Sequence, residues 1–329
     1  MAVRVDVSAV EQAIDLLRQF REASFVSKEC LAEYLAAPGM LLLKRHLQRY
    51  GGIILDEDFL AALFEEVQGD PVMKQDDHVF LSSAKRGWQL LDILEPQLRS
   101  VDLEALVQRA AEMANEFLPE PLDEDITVYF LYGIRGTGIV LDREIGIDVC
   151  DPALFSKGTL DPRLLTGVLA HELHHIGVSR HVTAALAQVT DLRLRMLGSF
   201  FEPFLSEGAA YLYITPPEHL EEGLVRQWQS NLTNITAIFG RVNSFIDGIR
   251  QGTLSNLSET EQLFDNSLQG YTAGYIMIKA IEDTLGRKAV LDSIRSCLLF
   301  PRFYNSAVEL GAHRLPQLDL RGFWETNLN

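Results

Sequence analysis

The stretch DPRLLTGVLAHELHHIGV, Asp161 to Val178, is the part of the chain from which the fold can be read outward. Asp161-Pro162 starts a helix, because a proline at the first helical position loses no hydrogen bond and already has the required φ. Leu164, Leu165, Val168 and Leu169 then supply an apolar face, so the pattern predicts a helix over about 161–178. Within it, His171-Glu172-Leu173-His174-His175 is an H-E-x-x-H motif. Residues four apart on a helix leave the same face roughly 6 Å apart along the axis, so His171 and His175 can chelate one Zn²⁺ through neutral ring nitrogens. Glu172 lies about 100° further round, beside such a metal and placed to take a proton from a water that the metal polarises.

On the N-terminal side of this helix the sequence is rich in β-formers. Thr127 to Tyr132 is a strand candidate, and Gly136 to Leu141 and Ile145 to Val149 read as two strands joined by the turn Asp142-Arg143-Glu144. From residue 8 to about 118 the apolar spacing is helical, with segments near 8–22, 27–36, 39–49, 56–68, 84–98 and 101–117. Ser8 with Glu11 and Ser27 with Cys30 and Leu31 are start signals, Gly51-Gly52 and Gly69 are stops, and Gln75 to His78 is a polar loop. Beyond the metal helix, helices are expected near 181–197, 200–213, 224–250, 271–285 and 287–298. The fold class that follows is α+β and mostly helical, with a small antiparallel-containing sheet beside the metal helix. Leu118-Pro119-Glu120-Pro121 marks a boundary. It separates a helical N-terminal lobe, 1–120, from a catalytic region, 121–329, made of the sheet and metal helix (121–180) and a helical C-terminal lobe (181–329).

Composition narrows the partners. The 329 residues are 47% hydrophobic and 23% charged, as in a globular protein with a substantial core. A formal charge of −17 disfavours nucleic acid and anionic membrane, both of which need a basic surface. Met1 to Phe20 has no continuous apolar run of the signal-peptide kind, and no stretch is long enough to span a bilayer. Cys30, Cys150 and Cys297 are isolated and lack C-x-x-C spacing, which suits buried thiols in a reducing compartment. The expected location is the cytoplasm.

A catalytic zinc site ordinarily takes three protein ligands. The best candidate for the third is Glu207 in Ser206-Glu207-Gly208-Ala209-Ala210, where three small residues after the carboxylate allow its helix to approach another closely. Glu202 is the alternative, although Pro203 places it at a helix start, and Asp191 is a further one. His174 could pair with His171 at i, i+3, but Glu172 would then lose its natural relation to the metal. His181, after Gly177 and Ser179, reads as a loop residue, and His78 and His219 carry no ligand spacing. The run Gly133 to Gly138 lacks the Gly-Lys-Ser/Thr ending of a phosphate loop. Arg135, within it, lies where a substrate carboxylate could be bound or where a loop arginine is simply solvated.

H-E-x-x-H at 171–175 followed by Ser206-Glu207-Gly208-Ala209-Ala210 resembles the gluzincin zinc peptidases, the thermolysin-like and zinc aminopeptidase clan, with its nearest likeness among uncharacterised bacterial zinc-dependent peptidases. The resemblance covers about residues 125–295. It implies His171, His175 and Glu207 as zinc ligands and Glu172 as general base. Tyr271-Thr272-Ala273-Gly274 is similar to the Y-x-x-G helix of the aminopeptidase branch, which implies that Tyr271 stabilises the oxyanion; Tyr275 is the neighbouring alternative. Gly136 to Val149 resembles the hairpin and edge strand along which gluzincin substrates lie. The interval from His175 to Glu207 is longer than usual in the clan and leaves room for the helix expected at 181–197, and no G-x-M-E-N signature is present.

The expected activity is hydrolysis of peptide bonds in a peptide or protein substrate, with Zn²⁺ as cofactor. A zinc hydrolase of a small amide or ester, or a non-catalytic zinc-containing binding protein, are the alternatives. Glu172 argues against the last, since a purely structural site has no use for a base beside its ligands.

Overall fold

A computed structural model describes residues 3–50, 54–68, 78–133, 137–156, 158–220, 222–254, 256–264, 267–311 and 314–324, the side chains of residues 50, 68, 78–82, 219 and 261 excepted. Gly51-Gly52, Gly69, the 75–77 part of the expected polar loop, and Arg135 with Gly136 lie outside these residues. The described chain is mostly helical, with a four-stranded and a two-stranded sheet, an α+β fold.

Contacts group the chain into two compact units. The first comprises Met1–Glu112 and Leu122–Leu173. It contains β1 (Val3–Asp6), α1 (Ser8–Ala23), α2 (Lys28–Leu35), α3 (Pro38–Tyr50), α4 (Glu57–Gln68), α5 (His78–Ser100) and most of α6 (Leu103–Asn115). The sheet follows with β2 (Ile126–Leu131), β3 (Gly138–Leu141) and β4 (Glu144–Asp148), then a small hairpin of β5 (Phe155–Ser156) and β6 (Thr159–Leu160). β1 runs parallel to β2, β2 parallel to β4, and β3 antiparallel to β4, in the order β1-β2-β4-β3. β3 is therefore an edge strand. Asp142, at φ 56°, closes the tight β3–β4 turn in the left-handed region that such hairpins favour.

β2, β3 and β4 fall where the β-formers lie, but β1 and the β5–β6 hairpin were not expected. β1 shows only the alternation Val3-Arg4-Val5-Asp6, and its partner β2 is more than a hundred residues away, so nothing local stabilises it. Helix starts show one agreement and one difference. Ser27 caps α2 by accepting a hydrogen bond from Cys30 N at 3.2 Å, whereas Ser8 lies inside α1 and its N–H is bound by Asp6 Oδ1 at 2.9 Å.

The second unit comprises Met113–Pro121 and His174–Asn329. α7 (Pro162–Ala187) passes from the first unit into it, and α8 (Leu192–Tyr213), α9 (Glu222–Thr233), α10 (Ile235–Gln251), α11 (Gln269–Leu285), α12 (Arg287–Arg295) and α13 (Phe300–Leu310) follow. The separate helix expected at 181–197 does not form. Its residues are the last turns of α7, a short link and the first turns of α8, so His181 is helical rather than in a loop. Asp191 caps α8, accepting from the backbone N–H groups of Arg193 (2.8 Å) and Leu194 (3.3 Å). Pro203 stands inside α8 and not at a helix start, and the continuous helix expected at 224–250 divides at Asn234 into α9 and α10.

α8 and α11 meet at backbone distance. A β-carbon on Gly208 would collide with the carbonyl of Gly274 and lie 2.9 Å from Tyr275 N, and one on Gly274 would collide with the carbonyl oxygen of Phe204. The small residues after Glu207 thus allow the close helix approach their sequence implied, with α11 as the neighbour. Phe200, Phe201, Phe204, Met277 and Ile278 fill the core alongside.

Candidate metal centre

α7 carries both imidazoles of the motif on one continuous helix, anchored by Leu169 and Leu173, which are fully buried. One potential ligand atom from each of His171, His175 and Glu207 lies within 4.8 Å of the other two. His175 Nε2 stands 3.5 Å from Glu207 Oε1. Two donors bound at 2.0–2.1 Å around a tetrahedral zinc are themselves about 3.3 Å apart, so this pair is spaced as co-ligands are. Removal from water pushes the His171 imidazole down to about 4, which keeps it neutral and able to bind a metal. Burial raises the Glu207 carboxyl above its ordinary value, and His175 beside it pulls it back. The donor set of two neutral imidazoles and a carboxylate fits zinc.

Ser206, the residue before Glu207, adds a contact that the sequence did not reveal. Its buried hydroxyl lies 2.5 Å from His175 Nδ1. This contact holds the ring plane, and with Nε2 given to a metal the Nδ1–H would donate to Ser206 Oγ.

The other candidates separate from this cluster. The Glu202 carboxyl is hydrogen-bonded to the Ser179 side chain and raised by burial. Asp191 is the α8 cap. His174 is fully buried with Nε2 3.3 Å from the carbonyl oxygen of Phe117, a packing histidine. His181 Nε2 pairs with Glu120 Oε2 at 3.1 Å. His219 ends a short 3-10 turn, Pro217–His219.

Glu172 points toward the start of the edge strand, where its side chain packs on Gly138. Tyr271 lies in the first turn of α11, half-buried, with its ring against those of Tyr211 (5.9 Å) and Phe264 (5.5 Å). The turn before it is braced by buried Asn231, which donates to Ser267 O (2.7 Å) and to Thr272 Oγ1 (3.2 Å). Tyr275, one turn on, packs against Trp228 at 5.5 Å. In the sheet, the wholly buried Asp148 accepts from Ser83 Oγ (2.5 Å), Gly133 N (3.1 Å) and Cys150 N (2.9 Å). Burial outweighs these donors and pushes its carboxyl up to about 7.

Two histidines and a glutamate on neighbouring helices form the donor set that zinc hydrolases use. The chain belongs to the family described as "Putative zinc dependent peptidase (DUF5700)", whose model matches residues 35–312. No curated protein and no solved structure matches the chain. Cys150 and Cys297 are buried free thiols, and no helix among the described residues is long and apolar enough to cross a membrane.

Proposed function

We propose that this protein hydrolyses peptide bonds at a gluzincin-type zinc centre held by His171, His175 and Glu207, with Glu172 as the general base. The observation that carries the reading is the convergence of those three side chains, with Glu172 on the same helix and against the edge strand. When bound, zinc supplies a polarised water and a Lewis acid for the scissile carbonyl. Glu172 takes the proton from the attacking water on its carboxylate oxygen and passes it to the departing amine nitrogen. The Tyr271 hydroxyl donates a hydrogen bond to the carbonyl oxygen as negative charge builds there. An extended peptide would add to β3 as a further strand, held by main-chain hydrogen bonds along the sheet edge.

The test is a metal assay joined to a peptide-library digest. About one zinc per chain and cleavage of peptides are expected, with zinc lost in His171→Ala and His175→Ala. Glu172→Gln should keep its zinc and lose hydrolysis by several orders of magnitude, because an amide cannot accept the proton. Full zinc retention in both histidine variants would overturn the site. Near-normal turnover by Glu172→Gln would overturn the base, and cleavage of small esters or amides without any peptide would change the substrate class.

A further inference from the structure

We propose that Gly138 is a positioning residue for Glu172: the missing side chain at the start of β3 is the space that seats the base's carboxylate. The inference rests on the reading of Glu172 given above. A β-carbon on Gly138 would lie 2.6 Å from Glu172 Cδ and 2.8 Å from Cγ, and would collide with Oε1. Real carbon contacts are near 3.5–4.0 Å, so any residue larger than glycine must displace that side chain.

The backbone does not call for glycine here. Gly138 is absent from the positive-φ residues, and it pairs with Ile147 in ordinary antiparallel register. An alanine could adopt the same conformation, so the only thing the glycine supplies is room.

Nor can the strand retreat. On its inner side β3 is bonded to β4, where Ile147 is fully buried. Just before Gly138, Thr137 O accepts from Asp148 N at 3.0 Å and Thr137 Oγ1 donates to Asp151 Oδ2 at 2.9 Å. Asp148 is itself held by Ser83, Gly133 and Cys150. On the opposing side, Leu169 and Leu173 anchor α7 in the core. With both backbones fixed, the added methyl group acts on Cγ, Cδ and Oε1 of Glu172, which can rotate away. The fold tolerates that rotation, but the carboxylate moves by about 1 Å, and a misplacement of that size can cost about a hundredfold in rate.

Gly138→Ala is therefore expected to lower kcat about a hundredfold while KM, zinc content and Tm stay close to the parent values. A crystal structure of zinc-free Gly138→Ala should show the Glu172 carboxylate displaced with β3 unmoved. Placed on Glu172→Gln, the same substitution should add little further loss, because the group it displaces no longer functions. Unchanged kcat in Gly138→Ala would overturn the inference, as would an unmoved carboxylate or an equal additional loss in the Glu172→Gln background, which would make the residue a direct substrate contact. These failures leave the single Glu172→Gln result standing. A near-normal Glu172→Gln would instead remove the premise.

Discussion

Ser206→Ala isolates the contact behind the proposed metal ligands. The substitution deletes one oxygen that lies 2.5 Å from His175 Nδ1, in a residue only 8% exposed, and leaves His175 Nε2 and Glu207 themselves unchanged. Without the hydroxyl, His175 Nδ1 loses this hydrogen-bond partner in a side chain only 17% exposed. Removing such a supporting partner typically weakens metal affinity by about 10- to 100-fold, or roughly 1.4–2.7 kcal/mol. The metal-free protein should also lose about 1–3 kcal/mol of stability from the hydrogen bond itself. Competition with a chromogenic chelator measures zinc affinity, and urea unfolding of the metal-free protein measures stability. Ser206→Thr, which keeps the hydroxyl, should restore zinc affinity. If Ser206→Ala binds zinc as tightly as the parent, the hydroxyl does not orient His175 and the argument fails.

Glu207→Ala should weaken zinc binding far more than Glu202→Ala, since only the Glu207 carboxylate shares the histidine cluster; the reverse order in a chelator titration would transfer the third ligand to Glu202. Tyr271→Phe should lower kcat by about 10²–10³ with zinc content unchanged, the scale of one lost oxyanion donor, and turnover at the parent rate would end that assignment. The pH dependence of stability should carry the signature of Asp148. Its folded carboxyl is raised to about 7 from an unfolded 3.8, so its contribution is full below about pH 4 and is lost as pH rises toward 7. Asp148→Asn should remove up to about 1.4 kcal/mol per pH unit of that downward slope, and parallel unfolding curves for the two proteins across the window would refute it.

The metal helix was legible because its information is local: a proline start, an apolar face and two histidines one turn apart need no distant partner. The hairpin was legible for the same reason, since β3 and β4 are joined by a tight turn. What the sequence could not disclose depends on pairing across long separations. β1 becomes a strand only because Ile126 to Tyr129 lies beside it, and Pro203 stays within α8 because packing against α11 outweighs the bond that a proline removes. Glu207 could be singled out from its glycine and alanines. Ser206 could not, because a serine before a glutamate gives no sign that a histidine on another helix will meet it. Gly138 lies in a glycine-rich run that offers several equivalent positions to the eye, and only its place at the start of β3 shows that it faces Glu172.

The division between the two compact units falls between Leu173 and His174, inside the motif itself. His171 and His175 nevertheless share one unbroken helix, α7, so their spacing is set by that helix alone. A rearrangement cut at that division would break α7 within the motif, whereas exchanges made before Pro162 and after Ala187 would keep the paired histidines together.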